Sequence, residues 1–331
     1  MNNTAQSIDV VIAWVDGNDP KLKQKRQQHL SPEQASDAVS DTRFASNNEI
    51  YFCIASILKY VPYSGTIYIV TDQQRPQWID EFEQQGLCNK YKIRIIDHTE
   101  LFTGHEQYLP TFNSLAIESM LWNIPDLSEY FIYLNDDFFF NNLSKREDFI
   151  DQDKLVIYGH WQNSFSKKIK YKFRKYLNHY FDKQIQPKYT TAQMLSADIL
   201  GLSQYFEIHH RPHILHREQF KKYFNLHPEI LKLQLSFKFR HINQILPVGL
   251  SNHLLIKKQQ AVLKPDVDIA YLKNQQGLTK FIQDLQSNTI KYGCIQSLDQ
   301  LDQDAARQIS TALNAKFAGF LPKSLLQYEP V

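Results

Sequence analysis

Four apolar runs, each closed by an acidic or polar turn, set the fold class of this chain. Ile8 to Val15 (IDVVIAWV) stops at Asp16-Gly17-Asn18-Asp19-Pro20, and Thr66 to Val70 stops at Thr71-Asp72. Lys92 to Ile96 stops at Asp97-His98, and Tyr130 to Leu134 (YFIYL) stops at Asn135-Asp136-Asp137. Short apolar runs bounded by turn residues read as buried strands. Between them, Ile50, Ile54, Ile57 and Leu58 recur at helical spacing and predict a helix over 49–60. Shorter helices are predicted over 78–85 and 114–122, a basic surface helix from Pro20, and a loop over 31–48. Strands alternating with helices build a mainly parallel sheet with helices on its faces, an α/β fold. The ligand crevice of such folds lies outside the carboxyl ends of the strands. That geometry brings Asp16, Asp72 and the pair Asp136-Asp137 towards one edge.

The remainder of the chain differs. Residues 156–331 are rich in Lys, Gln and His, with few strand-like runs and amphipathic helices predicted over Gln219–Leu235 and Ala305–Phe317. The expected organisation is an α/β half, 1–155, and a mainly helical half, 156–331, that completes the site. A chain of 331 residues has room for both. The formal net charge of +2 gives no reason to expect a nucleic-acid partner. Cys53, Cys88 and Cys294 lack the number and spacing of a disulfide framework or a zinc site. Met1 to Ile8 lacks the basic start and apolar core of a signal peptide, and no apolar run approaches the roughly 20 residues that span a bilayer. The expectation is a reduced, cytoplasmic protein, either soluble or held at the inner face of the cell membrane.

Several constellations can carry chemistry. Adjacent carboxylates at a strand end, Asp136 and Asp137, are costly to bury alone, and a divalent cation relieves that cost. An exposed acidic turn or a helix cap explains the same pair. Asp16-Gly17 joins a carboxylate to a residue that permits close backbone approach, yet a plain strand-ending turn needs no more. His209-His210-Arg211-Pro212-His213 offers a base that titrates near neutrality, a zinc ligand set, or a polar surface loop. Arg240, within Phe237-Lys238-Phe239-Arg240-His241, suits a bidentate phosphate contact or a surface ion pair. Lys167–Lys175, basic with interleaved aromatics, suits an anionic polymer or an anionic membrane face, or is a solvated helix face. The chain has no glycine-rich phosphate loop of the P-loop or GxGxxG type.

In order along the chain, IDVVIAWVDGNDP, the opening at Arg43-Phe44 and Asn48-Glu49, IYIVTDQQRPQWI, PTFNSLAIES and YLNDDFFF resemble the first two conserved regions of the Stealth family. HRPHILHREQF with SFKFRH resembles the third region, and Cys294–Asp299 with FLPKSLLQYE the fourth. The family comprises bacterial capsular and exopolysaccharide phosphotransferases and the catalytic subunit of the eukaryotic lysosomal-enzyme GlcNAc-1-phosphotransferase. The resemblance implies a Rossmann-like or GT-A-like α/β fold. Where many members carry two arginines after Asn48-Glu49, this chain has Tyr51 and Ala55. Where the fourth region usually shows Asn-Asp, it has Gln296 and Ser297.

What the resemblance implies is a hexose-1-phosphate or N-acetylhexosamine-1-phosphate transfer from a UDP-sugar donor to a glycan or oligosaccharide acceptor, releasing UMP. His210 matches the family's active-site histidine and Arg240 its downstream arginine. Asp136 and Asp137 match its acid pair, expected to hold Mg²⁺ or Mn²⁺, with Asp137 also counted as catalytic. Asp16, Gly17, Arg43, Asn48 and Asn113 are expected at the substrate, and Lys168 and Lys170 along a polyanionic product. The rival readings are a metal-dependent glycosyltransferase that releases UDP and a non-catalytic glycan-binding homologue.

Overall fold

In the computed structural model, which describes residues 7–30, 44, 46–181, 188–296 and 298–328, the four apolar runs become four parallel strands. These are β1 (Ile8–Ala13), β2 (Ser64–Thr71), β3 (Ile93–Asp97) and β4 (Tyr130–Asn135). The chain then makes β5 (Phe138–Phe140), β6 (Ile150–Asp151), β7 (Lys154–Tyr158), β8 (His160–Asn163) and β9 (Gln204–Glu207). After these, β10 (His213–His216) returns to the first sheet, whose order is β10-β4-β1-β2-β3. β2 and β3 extend one side of β1, whereas β4 lies on the other side. The strand order therefore reverses between β1 and β4, and the crevice of a parallel sheet opens at that reversal. The Asp16 turn and the Asp136-Asp137 turn flank it.

β10 runs antiparallel to β4, with His213 opposite Tyr133 and His216 opposite Tyr130. The bend that precedes β10 carries His210, whose ring meets Phe138 just past the acid pair at 5.9 Å between centroids. One antiparallel edge strand thus brings the histidine segment to the acid pair.

Residues 156–331 hold more strand than the few runs expected. β8, β9 and β10 are joined by β11 (Ala261–Lys264), β12 (Ile269–Leu272) and β13 (Tyr292–Ile295). Each is four residues long, too short to display an alternating pattern. The helix expected over Gln219–Leu235 is two, Arg217–Leu226 and Pro228–Ser236. Pro228 pushes His227 out of the helical region, to φ −130°, and breaks the run. The predicted helices over 49–60 and around 305–317 form as Glu49–Tyr60 and Gln303–Lys316, and the basic run lies in the helix Phe165–Phe181.

β13 pairs with β5 beside the acid pair. Gly293 lies opposite Phe139, and an added Cβ would fall 2.0 Å from the ring. Glycine leaves room for Phe139 to meet Phe281 and Phe317 edge-on, at 6.3 and 6.0 Å between centroids. One buried apolar cluster runs from Val10, Ile69 and Leu134 to Phe220, Leu250, Tyr292 and Leu313. The stretches 1–155 and 156–331 therefore share a core. No helix among the described residues is long and apolar enough to cross a membrane.

Candidate active site

Three of the four strand-end acids are satisfied locally. Asp16 Oδ1 accepts the Asn18 amide at 2.8 Å, and Gln74 clasps the Asp16 backbone N–H and C=O at 2.9 Å each. Asp72 is ion-paired with Lys25 at 2.8 Å. Asp97 accepts the amides of Thr99 at 2.9 Å and Gln73 at 2.6 Å.

The turn after β4 is different. Asp136 and Asp137 are partly buried, and among the described residues neither has a cation within ion-pair distance. Among the described residues, Asp137 Oδ2 accepts the Cys294 thiol at 3.4 Å, and Asp137 Oδ1 is buried with no hydrogen-bond partner. A third carboxyl group, Glu49, is buried at the start of the helix Glu49–Tyr60 and accepts the Asn47 amide at 2.5 Å. Desolvation raises all three, and repulsion between carboxylates adds to it at Asp136 and Glu49. Asp136 is held well above the usual carboxylate range by burial, then by Asp137 and Glu49. Asp137 is raised to about 6 by burial, against the Cys294 thiol and the Arg240 charge. Glu49 is raised to about 7 by burial, the Asn47 amide opposing and Asp137 reinforcing the shift. The donors are carboxylate oxygens, and one of them, Asp137 Oδ1, is buried and unpartnered. A hard divalent cation fits such a set.

His210 lies beside this turn, in the segment that leads into β10. Its ring stacks on Tyr189 at 5.0 Å and Tyr271 at 6.3 Å, and Phe138, next to Asp137, meets it edge-on at 5.9 Å. Burial, followed by the neighbouring His209 and Arg240, lowers its pKa. The ring is therefore neutral at neutral pH and able to take a proton. His213 points into the core, and its pKa is pushed well below the usual value by burial. Arg240 is anchored by Ser114 Oγ, which accepts from its Nε at 3.2 Å and from a terminal nitrogen at 2.6 Å. Among the described residues it has no carboxylate partner within ion-pair distance. Its charge nevertheless acts on Asp137, Glu118 and His210.

Asn113 corrects its expected place at the substrate. It is fully buried, and its amide donates to Phe237 O, Phe239 O and Gln244 Oε1 at 2.9–3.0 Å. Its Oδ1 caps the following helix through the Leu115 amide at 3.1 Å. With its donors spent on the protein, Asn113 holds the segment that carries Arg240. Gly17 is likewise buried: its amide donates to Phe44 O at 2.6 Å, and an added Cβ would fall 2.2 Å from that oxygen. It seats the start of the second conserved segment against the β1 turn. Asn48 adopts a left-handed φ of 70° before the helix Glu49–Tyr60, and its side chain makes no cap bond. Arg43 and Ser297 lie outside the described residues.

Lys168 pairs with Asp198 on the adjoining helix Tyr189–Asp198, and Lys170 is exposed on the outer face of Phe165–Phe181. Neither is shown in contact with the acid pair. The histidine run also splits. His209 turns to Asp266 at 3.5 Å, and Asp266 meets His160 at 2.5 Å. These three are the grouped metal-ligand types among the described residues, and His213 is not one of them.

Sequence reasoning missed Glu49, Glu118, Tyr189, Tyr271 and the contact of Cys294 with Asp137. Glu118 is buried, and burial raises it to about 7 while Arg240 and Tyr133 oppose the shift. One helical turn separates it from Ser114, so the i,i+4 rule already placed it on the face that meets Arg240. The aromatic shelf around His210 joins residues far apart in sequence and left no local signal.

The mainly parallel sheet with flanking helices is a GT-A-like α/β fold. It is shared by the bifunctional glycosyltransferase WbbM, at TM-score 0.50 and 10% identity over 98% of this chain and 52% of that one. Residues 6–29 match Stealth protein CR1, conserved region 1, and residues 43–157 match Stealth protein CR2, conserved region 2. The capsular polysaccharide phosphotransferase cps12A of Actinobacillus pleuropneumoniae is 41% identical over 170 residues. That match spans 50% of this chain and 44% of that protein's length. The exopolysaccharide phosphotransferase cps2G of Lactiplantibacillus plantarum is 29% identical over 96% of this chain and 94% of its own length.

Proposed function

We propose that this protein is a sugar-1-phosphate transferase of capsule or exopolysaccharide synthesis. It moves hexose-1-phosphate or N-acetylhexosamine-1-phosphate from a UDP-sugar to a glycan hydroxyl and releases UMP. The observation that supports this best is a pair of adjacent carboxyl groups that, among the described residues, have no ion-pair partner, with a neutral histidine beside them and an arginine that has no carboxylate partner among those residues. Relatives named as polysaccharide phosphotransferases supply the reaction class.

In this reading, His210 takes the proton of the acceptor hydroxyl, whose oxygen forms a bond to the β-phosphorus. The bond from that phosphorus to the bridging oxygen breaks, and UMP leaves with the electron pair. Arg240, held by Ser114, donates to the non-bridging oxygens where charge gathers. Asp136 and Asp137 would hold Mg²⁺ or Mn²⁺, which neutralises diphosphate charge when bound. Use of a nucleotide sugar places the reaction in the cytoplasm.

The leaving nucleotide tests the reading. Purified protein given a panel of UDP-sugars, a divalent cation and an acceptor glycan is expected to release UMP and retain phosphate in the product. His210→Ala is expected to slow release by roughly 10²–10⁴-fold. Release of UDP with a phosphate-free product would make the protein an ordinary glycosyltransferase instead.

A further inference from the structure

The helix Phe165–Phe181 has two unlike faces. Its inner face is fixed to the protein. Lys167 pairs with Glu207 at 2.9 Å, Lys168 pairs with Asp198, and Tyr171 donates to Asn243 at 3.2 Å. On its outer face, Phe165, Ile169, Phe173, Tyr176 and Tyr180 follow at intervals of three or four residues, forming one stripe along the helix. Their exposures are 71, 53, 61, 55 and 65%. Isolated exposed apolar side chains are ordinary, whereas a continuous stripe five residues long marks a surface that is covered in use.

Charge identifies what covers it. The helix contains no Asp or Glu, and Lys170, Lys172 and Lys175 are exposed beside the stripe. Bulky apolar groups on one face with lysines at their margins match a lipid surface, where rings lie at the headgroup boundary and ammonium groups reach the phosphates. A soluble polyanionic glycan satisfies the lysines but leaves the aliphatic and aromatic stripe in water.

We propose that the outer face of this helix docks the protein on an anionic lipid surface. The stripe from Phe165 to Tyr180 enters the interface, and Lys170, Lys172 and Lys175 contact lipid phosphates. This names the partner of the basic segment and stands whichever nucleotide the reaction releases. It also fixes an orientation. The helix packs through Lys168 on Tyr189–Asp198, and Tyr189 is the residue that stacks on His210. The docked face therefore lies one helix away from the acid pair.

Vesicle flotation tests this with the full chain, using phosphatidylcholine alone and with about a third phosphatidylglycerol. The protein is expected to float with the anionic vesicles only, and less so as salt rises. Ile169→Ser/Phe173→Ser/Tyr176→Ser is expected to weaken binding by roughly tenfold or more while keeping its circular dichroism and its UMP release on a soluble acceptor. Lys172→Glu/Lys175→Glu is expected to abolish the preference for anionic lipid. Phe173→Trp, which preserves the stripe, is expected to show a blue-shifted emission on the same vesicles. Any of three results would overturn the proposal. The chain stays unbound to both vesicles. The triple serine variant binds vesicles like the parent while soluble dextran sulfate competes fully. Or light scattering shows a dimer that the triple variant dissolves.

Discussion

The turns after β1 and β4 are neighbours in the sheet and look alike in sequence, each with paired acids just past a strand. In the structure they are opposites. At the β1 turn, Asp16 accepts the Asn18 amide, and Asp19 accepts from Gln74 and the Lys21 amide. The Gln74 bond, then that amide, hold Asp19 below the usual carboxylate range. At the β4 turn, burial outweighs the hydrogen bonds that Asp136 and Asp137 receive, and both are pushed up. Position at a sheet edge is therefore a weak guide to function. Unmet electrostatic demand separates the β4 turn from one that only stabilises the fold.

The largest expected effect comes from exchanging charge for amide at the two turns. Asp136→Asn or Asp137→Asn should lower turnover by about a thousandfold or more, because the diphosphate would lose its charge clamp. Asp19→Asn should change turnover only a few-fold and cost about 0.5–1 kcal/mol of stability. Steady-state UMP release with urea unfolding reads both, and equal losses of turnover at the two turns would break the contrast.

A smaller effect should appear in stability against pH. Folded Glu49 keeps its proton up to about pH 7, against 4.5 for an ordinary glutamate. Its contribution is full below 4.5 and is lost as pH rises through 7, because the folded state binds the extra proton. Glu49→Gln should accordingly gain about 1–3 kcal/mol over the parent at pH 8 and almost nothing at pH 4. His98 and His253, held neutral by burial down to about 4, impose the opposite trend on the parent. That trend cancels when the two proteins are compared at each pH.

Much of the frame was legible because it depends on local pattern. The helix over 49–60 and the four parallel strands follow from apolar periodicity, and the acid pair falls at the reversal of strand order. What was not legible depends on distant partners. Nothing near Asp16 or Asp137 in sequence says that Gln74 clasps the backbone of one and that the Cys294 thiol donates to the other. Asn113 read as a ligand because an exposed Asn and a buried brace look the same until residues 237–244 fold over it. Four-residue β10 carries no period of its own, yet it delivers His210 to the site. The basic run showed its charge in sequence, but which lysines the protein itself uses emerged only from Asp198 and Glu207.

Asp136 and Asp137 are the strand-end acids without an ion-pair or strong hydrogen-bond partner among the described residues, and we propose that a divalent cation meets their charge. Titration calorimetry with Mn²⁺ at pH 7, run in two buffers of different ionisation enthalpy, tests this directly. One ion should bind per chain with release of protons, since burial and crowding hold protons on these carboxyls. Asp136→Asn and Asp137→Asn should abolish binding, and Asp16→Asn should leave it intact. Unchanged binding in both acid-pair variants, or its loss in Asp16→Asn, would contradict the claim.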